Sequence, residues 1–258
     1  TMEPEASQLL IALALTLFAG LATGIGSLVA FLSRRTNTGF LSVSLGFSAG
    51  VMIYISFMDL IPGARETLTE LQMVLSFFAG IVLIAVIDFL IPKDENPHEM
   101  HLAEDMNKNN RLKRMGIMMA LGIAIHNFPE GIAAFMAGMR SLDVGIPIAL
   151  AIAIHNIPEG IAVSVPVYYA TGSRRKAFWY SFLSGLAELL GALVAILFLF
   201  PFWSPVLEGV VITAVSGVMV YISIDELLPG AERFGKHHLS ILGFIGGMAV
   251  MALSLLLL

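Results

Sequence analysis

Ala120–Ala133 reads ALGIAIHNFPEGIA, and Ala149–Ala162 reads ALAIAIHNIPEGIA. Each stretch sets a His, an Asn, a Pro and a Glu at fixed spacing in otherwise apolar sequence. Positions i and i+4 share one face of a helix. His126 and Glu130 therefore point the same way, and so do His155 and Glu159. Pro129 cannot donate a backbone hydrogen bond, which frees the carbonyl of Ile125, and Pro158 does the same for Ile154. Each helix is expected to bend or loosen at its motif, with Gly131 and Gly160 adding slack.

The apolar setting extends to the whole chain. Of 258 residues, 57% are hydrophobic and 13% charged, with a mean hydropathy of +0.87. A soluble domain carries about 25% charged residues, so the chain reads as an all-α integral membrane protein. There is no Cys, which excludes disulfides and thiolate metal sites. A span needs about 20 predominantly apolar residues. Eight are predicted, over residues 6–32, 40–62, 71–91, 114–139, 144–169, 176–200, 206–228 and 239–258. The first lacks a basic leader region and is long enough to span. The polar loop 92–113 is the longest connection, and residues 1–258 form a single transmembrane domain.

Orientation follows from Lys and Arg in the loops. Arg34, Arg35, Lys93, Lys108, Arg111, Lys113, Arg114, Arg174, Arg175, Lys176, Arg233 and Lys236 fall in the odd-numbered loops. The opposite side has only Arg65 and Arg140. The odd loops are therefore expected in the cytoplasm, with both termini outside.

The chain also repeats. Gly50–Ala64 (GVMIYISFMDLIPGA) matches Gly217–Ala231 (GVMVYISIDELLPGA) at an offset of 167. The same offset sets Gly24 against Gly191, and Phe77 to Gly80 against Phe244 to Gly247. Spans 1–3 thus match spans 6–8, and span 4 matches span 5 at an offset of 29. Both shifts cross an odd number of spans, which inverts a segment in the membrane. Inverted repeats are a mark of transporters, whose substrate site lies near the midplane at the repeat interface.

His126 and His155 sit near the middle of spans 4 and 5, which a short loop joins as antiparallel neighbours. Two imidazoles and two carboxylates can converge there, a set suited to a tetrahedral divalent ion, above all Zn²⁺. Asn127 and Asn156 lie one residue further round each helix, and with the shared glutamates they could line a harder, oxygen-rich site. Glu188 in span 6 adds a third midplane carboxylate. An ionised side chain there costs about 2.5–3.5 kcal/mol on insertion scales, so a cation, a proton or water must offset it. Glu130, Glu159 or Glu188 could exchange a proton for metal.

Asp59 near the outer end of span 2, and Asp225 and Glu226 near the inner end of span 7, read as acidic ends of a cation path. Asp88, at the inner end of span 3, is an even choice between path and wetted helix end. Met52 is a soft contact on the route or simple packing. His98 and His101 read as a solvated loop, and His237 with His238 as a loop end. Gly20/Gly24, Gly46/Gly50 and Gly243/Gly247 have the spacing of close helix contacts.

With HNFPEG and HNIPEG paired across eight spans, the chain resembles the ZIP metal-ion transporters, most closely their bacterial ZupT-like branch. The resemblance covers essentially the whole chain. It implies a 3+2+3 arrangement of helices in a bacterial inner membrane, a binuclear metal centre, and uptake of Zn²⁺, with Fe²⁺, Mn²⁺, Co²⁺ or Cd²⁺ also accepted. One metal would be held by His126, Glu130, His155 and Glu159. The second would use Asn127, Asn156, the bridging Glu130 and Glu159, and Glu188. Met52 and Asp59 match positions on the outer route, and Asp225 and Glu226 on the inner one. The partners expected are divalent ions and the lipid bilayer, with no nucleic acid, and a homodimer is one form the assembly could take. The chain departs from many eukaryotic members in having only His98 and His101 in its intracellular loop, and from some bacterial ones in having His155 where they have Gln. A selective channel and an intramembrane zinc enzyme are the rival readings. The enzyme would need a general base that is not a ligand, and no HExxH is present.

Overall fold

The structure, a computed structural model, describes residues 6–32, 38–90, 108–202, 204–232 and 236–257. Residues Arg34, Arg35, Lys93, His98, His101 and Arg233 lie outside them. The described chain is helical with short turns. We number the long helices α1 (Ala6–Leu32), α2 (Thr38–Ala64), α3 (Glu70–Leu90), α4 (Lys108–Arg140), α5 (Leu142–Thr171), α6 (Arg174–Leu199), α7 (Pro205–Glu232) and α8 (His237–Leu257). All but α4 are long and apolar enough, among the described residues, to cross a membrane. Without water, each backbone N–H and C=O must be satisfied within its own segment, so apolar runs of this length fold as helices.

Local signals set the ends. Ser141 alone joins α4 to α5, and its Oγ accepts a hydrogen bond from Val144 N at 3.3 Å. Ser173 caps α6 and Ser204 caps α7 in the same way. Gly172, at φ 63°, ends α5 in the left-handed conformation, which glycine adopts without penalty. Helix α4 begins at Lys108, so the loop expected over 92–113 gives its last six residues to helix. A charged, Lys- and Arg-rich segment can continue a helix beyond an apolar span because those residues are good helix formers.

Helix α5 lies at the centre, 78% of its span buried, whereas only 22% is buried in α3 and in α8. Helix α5 packs against α1, α4, α6 and α2; α8 packs on α2, and α3 on α7. The outer faces of α3 and α8 present Leu75, Phe78, Val82, Leu242, Ile245 and Leu253, a surface suited to lipid.

The two halves repeat one another in detail. Helix α2 widens into a π-helical turn at Ser56–Leu60, and α7 does so at Ser223–Leu227, 167 residues on. A Cβ at Gly50 would collide with the Phe244 carbonyl oxygen, and one at Gly217 with that of Phe77. Gly247 meets Phe47 O as Gly80 meets Ala214 O. At these two contacts the packing of α2 on α8 is thus reproduced by α7 on α3, whereas Gly46 and Gly243, which also pack α2 on α8, correspond to Thr213 and Ser76.

The offset changes for α1 and α6. Gly26 abuts the Ile157 carbonyl, and the glycine that abuts the equivalent Phe128 carbonyl is Gly191. Gly20 and Gly185 abut each other's carbonyl oxygens. Asn156 Nδ2 donates to Ala19 O, and Asn127 Nδ2 to Ser184 O. These pairs are 165 residues apart, so Gly26 and not Gly24 is the counterpart of Gly191. The connections from α1 to α2 and from α6 to α7 are both five residues long, so the two extra residues fall within α6 between Gly191 and Leu199, where it widens into a π-turn at Ala195–Leu199; a single sequence offset cannot register them.

The expected loosening at the motif prolines is also displaced. Helices α4 and α5 run uninterrupted through Pro129 and Pro158. The irregular turns fall instead at the π-turns of α2 and α7, at a third π-turn over Ala195–Leu199 in α6, and at Leu186, where α6 breaks two residues before Glu188. Each helix is braced beside its proline by a glycine of a neighbouring helix, α4 at Phe128 by Gly191 and α5 at Ile157 by Gly26.

Gly50→Ala is expected to lower the thermal unfolding midpoint of the detergent-solubilised protein, with a cost of about 1–3 kcal/mol for forcing α2 from α8. Gly63→Ala, where a Cβ meets nothing within 4 Å, should leave it within a degree or so. Equal midpoints would show that the α2–α8 contact does not limit stability.

Candidate metal centre

Helices α4 and α5 bring their motifs together around the α1–α6 crossing. Asn127, Glu130, His155, Asn156, Glu159 and Glu188 are all wholly buried. His126 lies on α4, and its side chain falls outside what the structure describes.

His155 is held from two sides. Its Nδ1 lies 3.0 Å from Ala151 O, an acceptor that only an N–H can satisfy, so Nδ1 carries the proton. Nε2 then faces both carboxylate oxygens of Glu130, each at 3.1 Å. In the neutral ring this sets a lone pair against the carboxylate, acceptor against acceptor, unless a proton lies between them. A proton on Nε2 or a cation shared with Glu130 resolves it, and a backbone-anchored Nδ1 is how metal-binding imidazoles are commonly oriented.

The two asparagines are fixed as a matched pair. Each spends an amide N–H on a backbone carbonyl, Asn127 on Ser184 at 3.3 Å and Asn156 on Ala19 at 2.9 Å. Asn156 Nδ2 also contacts Glu188 Oε1. Both amide oxygens, and Glu188 Oε2, are buried with no hydrogen-bond partner among the described residues. Three orphaned oxygens in one interior are costly unless something electropositive meets them. Oxygen donors of this kind suit a hard or borderline divalent ion.

One contributor was not foreseen. Ser48 of α2 donates its hydroxyl to Glu159 Oε1 at 2.6 Å. A lone Ser in an apolar span gave no signal by itself; Val215, 167 residues on, would have marked it as the half of the repeat that differs. Among the described residues, no three His, Asp or Glu side chains are gathered tightly enough to cage an ion unaided. The described donors are instead the His155–Glu130 pair, Glu159 with Ser48, Glu188, and the two amide oxygens.

The flanking acids are spread out. Asp59 lines a cavity of ≈ 470 Å³ on the face bearing Arg140. Its repeat mate Glu226 lies over Gly122, where a Cβ would strike its carboxylate, one turn before His126 on α4. Asp225 is exposed, and it and half-buried Asp88 both act electrostatically on Tyr221. Met52 is fully buried in the apolar core beside Ala49, Ile55 and Met219. His237 Nδ1 sits 2.9 Å from Glu232 Oε1 on the exposed end of α8.

A family model described as ZIP zinc transporter matches residues 90–255. The chain is 57% identical to the zinc transporter ZupT of Nitratidesulfovibrio vulgaris, across 97% of this chain and 98% of that protein. It is 56% identical to the ZupT of Streptococcus mutans and 57% identical to that of Lysinibacillus sphaericus, with the same coverage.

Ser48→Ala should weaken zinc binding about tenfold, the scale on which losing the partner of a ligand acts. Calorimetric titration of the purified protein reads this directly. An unchanged affinity would place Glu159, in the orientation Ser48 gives it, outside the centre.

Proposed function

Since the chain belongs to the ZIP zinc transporter family, we propose that it carries Zn²⁺ into the cytoplasm through the buried centre between α4, α5 and α6. Family membership makes it a multi-pass membrane transporter and not an enzyme. His126, Glu130, His155 and Glu159 hold one ion, and Asn127, Asn156, Glu188 and the two shared glutamates a second. Fe²⁺, Mn²⁺, Co²⁺ and Cd²⁺ are accepted less selectively. The helices form a 3+2+3 arrangement in a bacterial inner membrane, with both termini outside, and the site is exposed alternately to each side.

The observation that carries this reading is the set of oxygens left over at the centre. Asn127 Oδ1, Asn156 Oδ1 and Glu188 Oε2 are buried without a hydrogen-bond partner among the described residues, beside a His155–Glu130 contact that needs a positive charge. A purely structural polar core would give each of these acceptor oxygens an N–H or O–H donor. The shared geometry of the two repeats around the centre, down to the matched asparagine anchors, supports movement of one helix group against another.

Radioactive zinc uptake into proteoliposomes tests the assignment. Uptake by the wild type should saturate, and Glu159→Ala should reduce it by more than about 100-fold, since loss of a ligand exceeds the 10–100-fold effect of losing its support. Uptake that rises linearly with zinc would favour a channel. Undiminished uptake in Glu159→Ala would remove the paired motifs from the path.

A further inference from the structure

Thr23 holds the place in α1 that Glu188 holds in α6. A Cβ at Gly131 would strike the Glu188 carbonyl, and one at Gly160 would strike the Thr23 carbonyl. These contacts are related by 29 residues between the motif helices and by 165 between α1 and α6. The side chains leave from matching positions too. The Glu188 Cβ lies over Gly20, next to Ala19, whose carbonyl receives Asn156. The Thr23 Cβ and Oγ1 lie over Gly185, next to Ser184, whose carbonyl receives Asn127. The relation that carries Asn156 onto Asn127 thus carries Glu188 onto Thr23.

The Thr23 hydroxyl is wholly buried and has no hydrogen-bond partner among the described residues. The other buried hydroxyls of α1 and α6 donate to backbone carbonyls: Thr16 to Ala12, Ser27 to Gly24, Ser181 to Gly160 and Ser184 to Ser181. The usual acceptor for a helical threonine is the carbonyl four residues back. For Thr23 that is Ala19 O, which Asn156 Nδ2 already occupies at 2.9 Å. Asn127 Oδ1, the other polar atom on this side of the centre, is unpartnered as well. Two buried oxygens left so are unfavourable unless a positive centre meets them.

We propose that Thr23 Oγ1 is a further donor to the second ion of the centre, the uncharged counterpart of Glu188, and that it biases that position toward oxygen-preferring divalent ions. The ion meets a carboxylate beside Asn156 and only neutral oxygens, Thr23 Oγ1 and Asn127 Oδ1, on the opposite side. Neutral oxygen ligands suit Mn²⁺ better than a softer ion such as Cd²⁺. The two halves of the repeat thereby divide the work, one supplying charge and the other selectivity. The inference rests on the transport reading, which supplies the second ion.

Thr23→Val keeps the branched shape and removes the oxygen, whereas Thr23→Ser keeps the oxygen. In equilibrium dialysis of the purified protein, Thr23→Val should bind Mn²⁺ about tenfold more weakly, the scale on which losing support at a metal site acts, and Thr23→Ser should stay near wild type. Affinity for Cd²⁺ should fall by less. Without metal, Thr23→Val should melt no lower than wild type, because it discards a buried hydroxyl that has no partner; a residue kept for packing or for a hydrogen bond would melt lower. Unchanged Mn²⁺ binding in Thr23→Val overturns the inference, as does an equal loss in Thr23→Ser or a wild type that retains no Mn²⁺. In each of those cases, saturable zinc uptake that needs Glu159 would leave the transport reading intact. Mn²⁺ binding that follows Thr23 in a protein without zinc uptake would keep the Thr23 donor and refute the transport reading.

Discussion

Three carboxylic acids lie wholly buried at one level of this bundle, Glu130, Glu159 and Glu188, and the described buried residues include no Lys or Arg to balance them. In a low-dielectric interior that arrangement is tolerable only if dipoles, protons or a mobile cation supply the missing positive charge. The surrounding helices can be understood as the means of supplying it. Helix α5 occupies the centre because it presents His155, Asn156 and Glu159 from one and a half turns. Helix α2 contributes Ser48 to Glu159, and α6 breaks at Leu186, where Ser184 O receives Asn127.

Close packing makes those contacts possible. Helices in lipid gain little from burying apolar surface against one another and rely on backbone approach through small residues. Gly20 and Gly185 let α1 and α6 touch, and Gly131 and Gly160 let the motif helices press against the Glu188 and Thr23 carbonyls. Only at that distance can an asparagine amide reach across to a neighbouring helix carbonyl. The glycines next to the two glutamates therefore act less as flexible points than as the floor on which the donors are set.

Much of this was legible in the sequence. The spans, the paired motifs and the midplane Glu188 followed from composition, spacing and depth, because periodicity and the cost of buried charge leave few alternatives. Gly46, Gly50, Gly243 and Gly247 were rightly read as close contacts. What escaped depends on how helices are laid against each other. The change of offset from 167 to 165 requires knowing which carbonyl each glycine meets. Ser48 and Thr23 carry no local pattern: each is one hydroxyl in an apolar span. A proline bends an isolated helix, whereas α4 and α5 are braced by their neighbours and run on through it.

The two extra residues before α7 have a consequence for energetics. A carrier with interchangeable halves would have inward-facing and outward-facing forms of equal free energy, each the mirror of the other. Here Glu159 has a serine on α2, while the position related to that serine on α7, facing the other half, is Val215. The halves are unequal in register and in polarity, so in the alternating-access cycle proposed above the two forms would differ in free energy. A preference of even 1.4 kcal/mol is a tenfold bias in population, which would make the apparent affinities on the two sides unequal while the net flux of a passive carrier still follows the ion gradient.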